Sequence, residues 1–314
     1  MTTEINSDAG KSIFARRKID QWRLRSRSLE LGAKTLVMGV VNITPDSFSD
    51  GGLYLEPAMA IEHALRLVEE GAAVVDLGAE STRPGSDAGD PAGAAVSADQ
   101  EQARLLPVIE AVLKARPDAV ISADTYKAAT ARAAVAAGAE IVNDVSGFTW
   151  DADMAAVCAD MRCGVVLMHT RGTPDAWKTQ AALSKDEVLP LVYDGLAANL
   201  RAALRAGIAE DAIVLDPGYG FGKRFDENYA LLARQGQLLA LGRPLLAGLS
   251  RKSFMARTLA ALRPGDVGPE SRERASIAAL TTAILNGASV VRVHSVQAAV
   301  EAAAIADAVL LAAL

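Results

Sequence analysis

Eight short apolar runs recur along the chain, and a helical pattern follows each of them. The runs are LVMGVVN, AVVDLGA, AVISADT, EIVNDV, CGVVLMH, AIVLDPG, PLLAGLS and VVRVHS. Each is almost continuously apolar, which is typical of strands that are buried on both faces of a parallel sheet. Strand then helix, repeated eight times, predicts an α/β fold of the (β/α)8 TIM barrel type. An open, doubly wound sheet is the alternative.

The segment before the first run has a period of two instead. Trp22 and Leu24 alternate with arginines, as in a half-exposed strand, and Gly32 supplies a turn before the first barrel strand. This pattern predicts a short N-terminal β-hairpin that closes the bottom of the barrel; an arm for nucleic acid or membrane is the alternative. We therefore expect an N-terminal extension over residues 1–33, disordered in its first ten or so residues, and a barrel domain over residues 34–314.

Composition narrows the class of function. The 314 residues carry a net charge of −6, which argues against a general nucleic-acid binder. No uncharged apolar run reaches about 18 residues and the first residues lack a signal-peptide pattern, so neither a membrane span nor secretion is predicted. Cys158 and Cys163 are too few for a disulfide scaffold and are expected to be buried or half-buried thiols. A cytoplasmic protein is expected.

Every predicted strand ends in polar or ionisable residues, where barrel enzymes place their active sites. Helix capping explains some Asp, Asn and Ser at such positions, but not Arg, Lys and His. A first group consists of Asp124, Asn143, Asp216 and Lys252. Such side chains suit a flat heterocycle with N–H groups and ring acceptors, and the lysine offsets the cost of burying a carboxylate. An internal salt-bridge network without a ligand is the alternative.

A second group of polar residues suits an anion. Arg292 and His294 alternate on the last strand and therefore point to the same side. Thr82 and Arg83 add a hydroxyl and a guanidinium, and a guanidinium binds phosphate through two hydrogen bonds. Asn42 offers a neutral oxygen of the kind that Mg²⁺ accepts beside phosphate oxygens and waters. These residues predict an enzyme that binds a heterocycle beside a Mg²⁺-bound phosphate group and displaces a phosphate leaving group.

Two loops have unusual composition. NITPDSFSDGG, residues 42–52, holds one aromatic residue, Phe48, among polar groups. DPGYGFGKR, residues 216–224, looks like a phosphate loop, but Arg224 stands where Ser or Thr should follow the lysine, and the glycine spacing is wrong. We interpret its glycines as a tight loop that places Phe221 over the barrel mouth.

Eight motifs, in order, resemble those of the dihydropteroate synthases of the folate pathway. They are MGVVNITPDSFSDGG, DLGAESTRPGS, SADTYK, IVNDVSG, MHTRGTP, DPGYGFGK, GLSRKSF and VRVHSV, and they run from about Thr35 to about Ala303. The resemblance implies a pterin-binding barrel and a transferase with Mg²⁺ as cofactor. Its reaction would join p-aminobenzoate to 6-hydroxymethyl-7,8-dihydropterin pyrophosphate, giving 7,8-dihydropteroate and pyrophosphate. The resemblance also implies a sulfonamide target.

Carried over to matching positions, the resemblance gives each candidate residue a role. The pterin would be held by Asp124, Asn143, Met168, Asp216 and Lys252. The pyrophosphate would be held by Thr82, Arg292 and His294, and Mg²⁺ by Asn42. The p-aminobenzoate pocket would be formed by Phe48, Arg83, Pro84, Phe221 and Ser250. The catalytic group would consist of Asp46, Asp124, Asp216 and Lys252.

The mechanism of the family is dissociative, which suits a set of residues without an obvious nucleophile. Pyrophosphate leaves first, and the amine of p-aminobenzoate then attacks the pterin cation, whose formation depends on stabilising the leaving charge. The loop at residues 42–52 would close Phe48 over p-aminobenzoate and exclude water. The expected partners are these small molecules, together with a second copy of the chain, because homodimers are usual in the family and the helices of residues 271–314 are Ala-rich.

The chain departs from the usual family pattern at three positions. Ser295 stands where Asp is usual and is expected to cap the following helix. Ala79 and Ala256 stand where glycine is usual. Two rival functions are a pterin-dependent methyltransferase, which would not need the NITPDSF, STRPG and RVH motifs, and a non-catalytic pterin-binding paralogue, which should have lost part of the anion group.

Overall fold

The apolar runs form a closed barrel in a computed structural model of the protein, which describes residues 14–44, 56–82, 86–89, 95–262 and 267–313. The strands are β1 (Asp20–Arg23), β2 (Ser28–Leu31), β3 (Leu36–Asn42), β4 (Val74–Gly78), β5 (Ile121–Asp124), β6 (Ile141–Asp144), β7 (Gly164–Met168), β8 (Ile213–Asp216), β9 (Leu245–Ala247) and β10 (Ala288–Val293). Strands β3 to β10 are parallel neighbours in chain order, and β10 pairs back to β3. The predicted TIM barrel is therefore confirmed, and the open sheet is excluded.

Helices cover the outside of the barrel between successive strands. They are α1 (Glu56–Glu69), α2 (Ala98–Ala115), α3 (Ala128–Ala136), α4 (Met154–Met161), α5 (Lys185–Arg205), α6 (Phe225–Arg234), α7 (Ser253–Leu262), α8 (Pro269–Leu285) and α9 (Val296–Ala312). Local sequence fixes some of their starts. Ser97 and Gln100 form a capping box at α2, each side chain accepting from the other residue's backbone N–H. Pro269 is the first residue of α8, a position that needs no N–H donor.

The predicted hairpin closes the bottom of the barrel. Strands β1 and β2 pair antiparallel, and Trp22 and Leu24 are buried while the arginines between and after them are exposed. The Trp22 indole N–H donates to the carbonyl of Ala212, 3.0 Å away. Residues 1–13 lie outside the described residues, so the disorder expected there stays a prediction.

The inside of the barrel has an apolar lower layer and a polar upper layer. The lower layer joins the buried side chains of the hairpin to one inward residue from each strand or, for β5, from the position directly before it: Met38, Val74, Val120, Ile141, Val166, Val214, Leu246 and Val290. Side chains alternate along a strand, so the next inward position lies two residues further on. On β4 and β5 those residues are Asp76 and Ser122, which pair in register. Polar chemistry therefore begins midway up the barrel and faces the carboxyl ends of the strands.

Two other expectations concern thiols and membranes. Cys158 and Cys163 are both buried and free, as predicted. Within the described ranges, no helix is long and apolar enough to cross a membrane.

Candidate active site

One arginine joins two carboxylates in the upper layer of the barrel. Arg292, on β10, donates from Nε to Asp76 Oδ2 at 2.6 Å and from Nη2 to Asp124 Oδ2 at 2.5 Å. The pKa of Asp124 is raised to about 7, mainly by burial; the charge of Arg292 opposes the rise and the charge of Asp76 contributes to it. The structure thus connects Arg292, predicted for the anion group, with Asp124 of the first group and with Asp76, which belongs to neither group.

Asn143 is tied to the same network from β6. Its Nδ2 donates to Asp76 Oδ2 over 3.1 Å, and both side chains are buried. A carboxylate has only acceptors, so this contact fixes which end of the amide faces Asp76.

A third carboxylate, that of Asp216, faces the barrel mouth at the end of β8. Asp216 is buried, and its Oδ1 accepts a 2.7 Å hydrogen bond from the Gly218 amide. Burial raises the pKa of Asp216, while the Gly218 hydrogen bond and the charge of Lys252 oppose the rise. Burial lowers the pKa of Lys252 to about 8, with Asp216 opposing. These two residues are therefore an electrostatic pair inside the site.

Aromatic side chains form one wall beside this pair. The Lys252 amino group lies 4.1 Å from the centre of the Phe221 ring, a cation–π distance. Trp177 supports Phe221 from behind, edge to face, with ring centres 5.1 Å apart. Met168 is buried nearby in a small apolar cluster with Tyr126. A flat ligand would find apolar and aromatic surface here, next to charged groups.

The glycine loop after β8 is held in one shape. Gly218, Gly220 and Gly222 all have positive φ values, of 68°, 84° and 71°. A Cβ at Gly218 would lie 2.0 Å from the carbonyl oxygen of His169, so only glycine fits there. The buried Lys223 amino group donates to the carbonyls of His169 at 3.0 Å and Gly218 at 2.8 Å. The predicted tight loop is present, and its lysine ties the loops after β7 and β8 together.

Ser250 links strand β9 to the end of β10. Its Oγ lies 2.9 Å from His294 Nδ1 and accepts a 3.3 Å hydrogen bond from the His294 amide. Between Ser250 and Lys252, Arg251 adopts a left-handed backbone with φ 57°, and its N–H donates to Ser276 Oγ. Left-handed residues other than glycine concentrate at functional sites, where the surroundings hold them.

The loop after β4 is anchored at its base. Glu80 accepts hydrogen bonds from the Lys127 amino group and from the Val96 amide. Thr82 follows and is half-buried, and Asn42 is half-buried at the end of β3, opposite Gly78. The remaining predicted site residues, which lie outside the described ranges, are Asp46, Phe48, Arg83 and Pro84. Their assignments stay predictions.

Comparison with known proteins decides the family. A family model described as "Pterin binding enzyme" matches residues 38–294. The dihydropteroate synthase of Bacillus subtilis is 39% identical over 300 residues, covering 95% of this chain and 97% of the relative. That of Mycobacterium leprae is 43% identical over 274 residues, covering 86% and 92%. The chain belongs to the dihydropteroate synthase family of pterin-binding enzymes.

Solved dihydropteroate synthases share the fold as well. The Xanthomonas albilineans dihydropteroate synthase, in a structure with 4-aminobenzoic acid, aligns with a TM-score of 0.81 and 40% identity over 93% of this chain and 99% of that one. The Yersinia pestis dihydropteroate synthase, in a sulfonamide drug complex, gives a TM-score of 0.82 at 36% identity with the same coverage. The predicted family and the transferase class are thereby confirmed.

Three residues that the motifs did not single out belong to this dihydropteroate synthase site. They are Asp76, Lys223 and Trp177, which support Arg292, the glycine loop and Phe221 respectively. Only Asp76 gave a usable signal, since a charged residue inside an apolar strand is rare unless it is paired.

One prediction about the end of the site was wrong. Ser295 occupies the position before α9, but its side chain makes no capping hydrogen bond; its carbonyl accepts from the Ala299 amide instead. The serine hydroxyl therefore does not replace the role expected of the family's usual aspartate.

Proposed function

We propose that the protein joins p-aminobenzoate to 6-hydroxymethyl-7,8-dihydropterin pyrophosphate, forming 7,8-dihydropteroate and pyrophosphate. The observation that carries this proposal is the convergence of Asp124, Asn143, Asp216, Lys252 and Arg292 at one end of the barrel. Another Xanthomonas albilineans dihydropteroate synthase structure, in complex with 7,8-dihydropteroate, supports the product.

The pterin suits the carboxylates on chemical grounds. Its amino and amide N–H groups are donors, and ionised carboxylates accept such donors strongly in a buried site. A hydrogen bond from the Gly218 amide orients the Asp216 carboxylate, and a hydrogen bond to Asp76 orients the Asn143 amide. Met168 offers apolar surface to the face of the ring, and it is buried at the end of β7.

The reaction then needs charge stabilisation rather than a nucleophile from the protein. The bond from the exocyclic methylene to the pyrophosphate oxygen breaks, and its electron pair leaves with pyrophosphate. The positive charge on the pterin is favoured by Asp216 and Asp124, while Arg292 and His294 would hold the leaving anion together with Thr82. The amine nitrogen of p-aminobenzoate forms the new bond beside Phe221 and Ser250, and the proton that it then loses passes to water at the barrel mouth.

Mg²⁺ fits one part of this arrangement. Asn42 supplies a neutral amide oxygen at the end of β3, and no described residues form a group of three or more His, Cys, Asp or Glu able to hold a metal. This donor set suits an ion held mainly by pyrophosphate oxygens and waters. Such an ion would draw charge from the leaving pyrophosphate.

The deciding experiment is release of pyrophosphate by the purified protein. We expect release when Mg²⁺, the pterin pyrophosphate and p-aminobenzoate are all present. Much slower release without p-aminobenzoate would separate the condensation from simple hydrolysis. The proposal fails if the three components together give no pyrophosphate and no dihydropteroate.

We also propose that two copies associate through α9. This helix carries an exposed apolar face made of Ala304, Ile305, Ala308 and Val309. Exposed apolar patches of this kind commonly mark an interface. A cytoplasmic location stays a prediction.

A further inference from the structure

Asp76 belongs to the site but is closed off from its mouth. It is fully buried on β4, and the next inward residue above it is Gly78. Gly78 lies beside Asp124, since a Cβ added to this glycine would be 3.3 Å from Asp124 Oδ2. A ligand that enters from the carboxyl ends of the strands therefore meets Asp124 before it could reach Asp76.

Arg292 consequently has two carboxylate partners of different kinds. The Asp124 side chain is 15% exposed, whereas that of Asp76 is 0% exposed. Only Asp124 can turn its oxygens to a ligand, and in doing so it weakens its bond to the arginine. Asp76 has no such exposure and would keep its bond to Arg292 Nε when a ligand binds, so the guanidinium would retain a partner and a position.

Asp76 also sets the polarity of the Asn143 amide. Because the carboxylate accepts from Nδ2, the amide oxygen is left to accept from a ligand N–H. A neutral residue at position 76 that could also donate a hydrogen bond would allow the Asn143 side-chain amide to flip, exchanging its oxygen and nitrogen.

We infer that Asp76 is a positioning residue of the pterin pocket: it holds Arg292 in place and orients Asn143 while Asp124 exchanges its arginine bond for the ligand. The inference rests on the proposed function, because the ligand is taken to be the pterin. Asp76 itself touches no reacting atom.

The first test is Asp76→Asn, which keeps the shape and removes the charge. We expect the affinity for 6-hydroxymethyl-7,8-dihydropterin, measured by calorimetry, to fall by about tenfold to a hundredfold, because charge-assisted hydrogen bonds are lost. The KM for p-aminobenzoate at saturating pterin pyrophosphate should stay unchanged, since Ser250 and Phe221 are untouched. Equal losses for both substrates would point to general damage and would overturn the inference.

Ser122→Ala is the matched control. Ser122 pairs in register with Asp76, is equally buried, and has a hydroxyl without a hydrogen-bond partner among the residues described. We expect this variant to bind the pterin like the wild type. A loss equal to that of Asp76→Asn would show that any change in this layer has the same effect.

A double variant, Asp76→Asn with Arg292→Met, covers the case in which Asp76→Asn alone does not fold. Removing both charges leaves no buried arginine short of a counter-ion, so the double variant should fold. If Asp76 acts through Arg292, the double variant should bind the pterin within about tenfold of the Arg292→Met variant, a comparison that does not need the Asp76→Asn single variant. A larger further loss in the double variant would contradict the inference.

A pH profile supplies a readout that a purely structural role would not move. The charged groups around Asp124 are Arg292, Asp76, Glu101, Asp144 and Lys252. Since the pterin binds the ionised carboxylate, wild-type affinity should decline as pH falls through about 7, where Asp124 takes up its proton. Asp76 raises that pKa, so in Asp76→Asn the decline should move to lower pH. An unmoved midpoint would count against the inference.

Failure of the proposed function and failure of the Asp76 inference give different results in these experiments. If the wild type released no pyrophosphate but bound the pterin, the proposed function would fail while the binding tests of Asp76 still held. If the wild type were active and Asp76→Asn bound the pterin normally, only the inference would fail.

Discussion

Asp216 keeps a buried carboxylate at the mouth of the barrel, beside Lys252 and bonded to the Gly218 amide. We expect Asp216→Asn to cut turnover by about a hundredfold, because the substitution removes a fixed negative charge facing the pterin cation. The fold should survive, since an asparagine oxygen can still accept from Gly218. Turnover is measured by pyrophosphate release and the fold by thermal unfolding.

The control for this change is Asp226→Asn, which alters an exposed aspartate in the first turn of α6. It should leave turnover unchanged. Near-normal rates in Asp216→Asn would show that Asp216 has a structural role only.

Single residues also show where sequence reasoning reaches its limit. The positions of Asp124, Asn143 and Asp216 followed from strand ends in a barrel, a rule that needs no knowledge of partners. The bond between Asp76 and Arg292 spans 216 positions in the chain. No local pattern encodes such a contact, because it depends on barrel closure, which places β10 beside β3 and so brings Arg292 next to β4.

The glycine loop after β8 is an element whose shape can be tested. Gly218→Ala places a methyl against the His169 carbonyl, while Gly242→Ala, at a similar positive φ of 76°, meets nothing within 4 Å. Left-handed strain alone costs roughly 1–2 kcal/mol for an L-residue. We expect Gly242→Ala to lower the free energy of unfolding by about that amount, and Gly218→Ala to lower it more and to reduce turnover.

The measurement is urea unfolding, with pyrophosphate release alongside. Equal destabilisation by the two substitutions would mean that the loop can shift to accommodate the methyl group at position 218 with no further loss of free energy of unfolding. In that case the Lys223 contacts would not fix the position of Phe221.

Elements differ in how far the sequence determines them. The alternation of Trp22 and Leu24 with arginines was enough to place the hairpin, since its two faces have different surroundings. The Ser295 cap failed because a residue type that can cap does so only if the backbone brings its hydroxyl to the free N–H groups. Here the residue has φ −104° and ψ 92°, and no such bond forms.

At the scale of the whole molecule, the exposed face of α9 predicts a dimer. Ile305 is 68% exposed on this face. We expect the protein to sediment as a dimer and Ile305→Asp to shift it to monomer, because the substitution places a charge in an apolar contact. Leu262→Asp, at a position on α7 that is 75% exposed, should stay dimeric. A wild-type protein that sediments as a monomer would contradict the proposed dimer interface on α9.

The division of the barrel into an apolar lower layer and a polar upper layer has a consequence for heat resistance. Buried ion pairs such as Asp76 with Arg292 are often less stabilising than apolar side chains of the same volume. The upper layer therefore contributes less to the free energy of unfolding than an apolar layer would, because its residues are those that the chemistry needs. Directed evolution for a higher melting temperature should find harmless gains around the hairpin and the lower layer. Gains found in the upper layer should come with loss of activity.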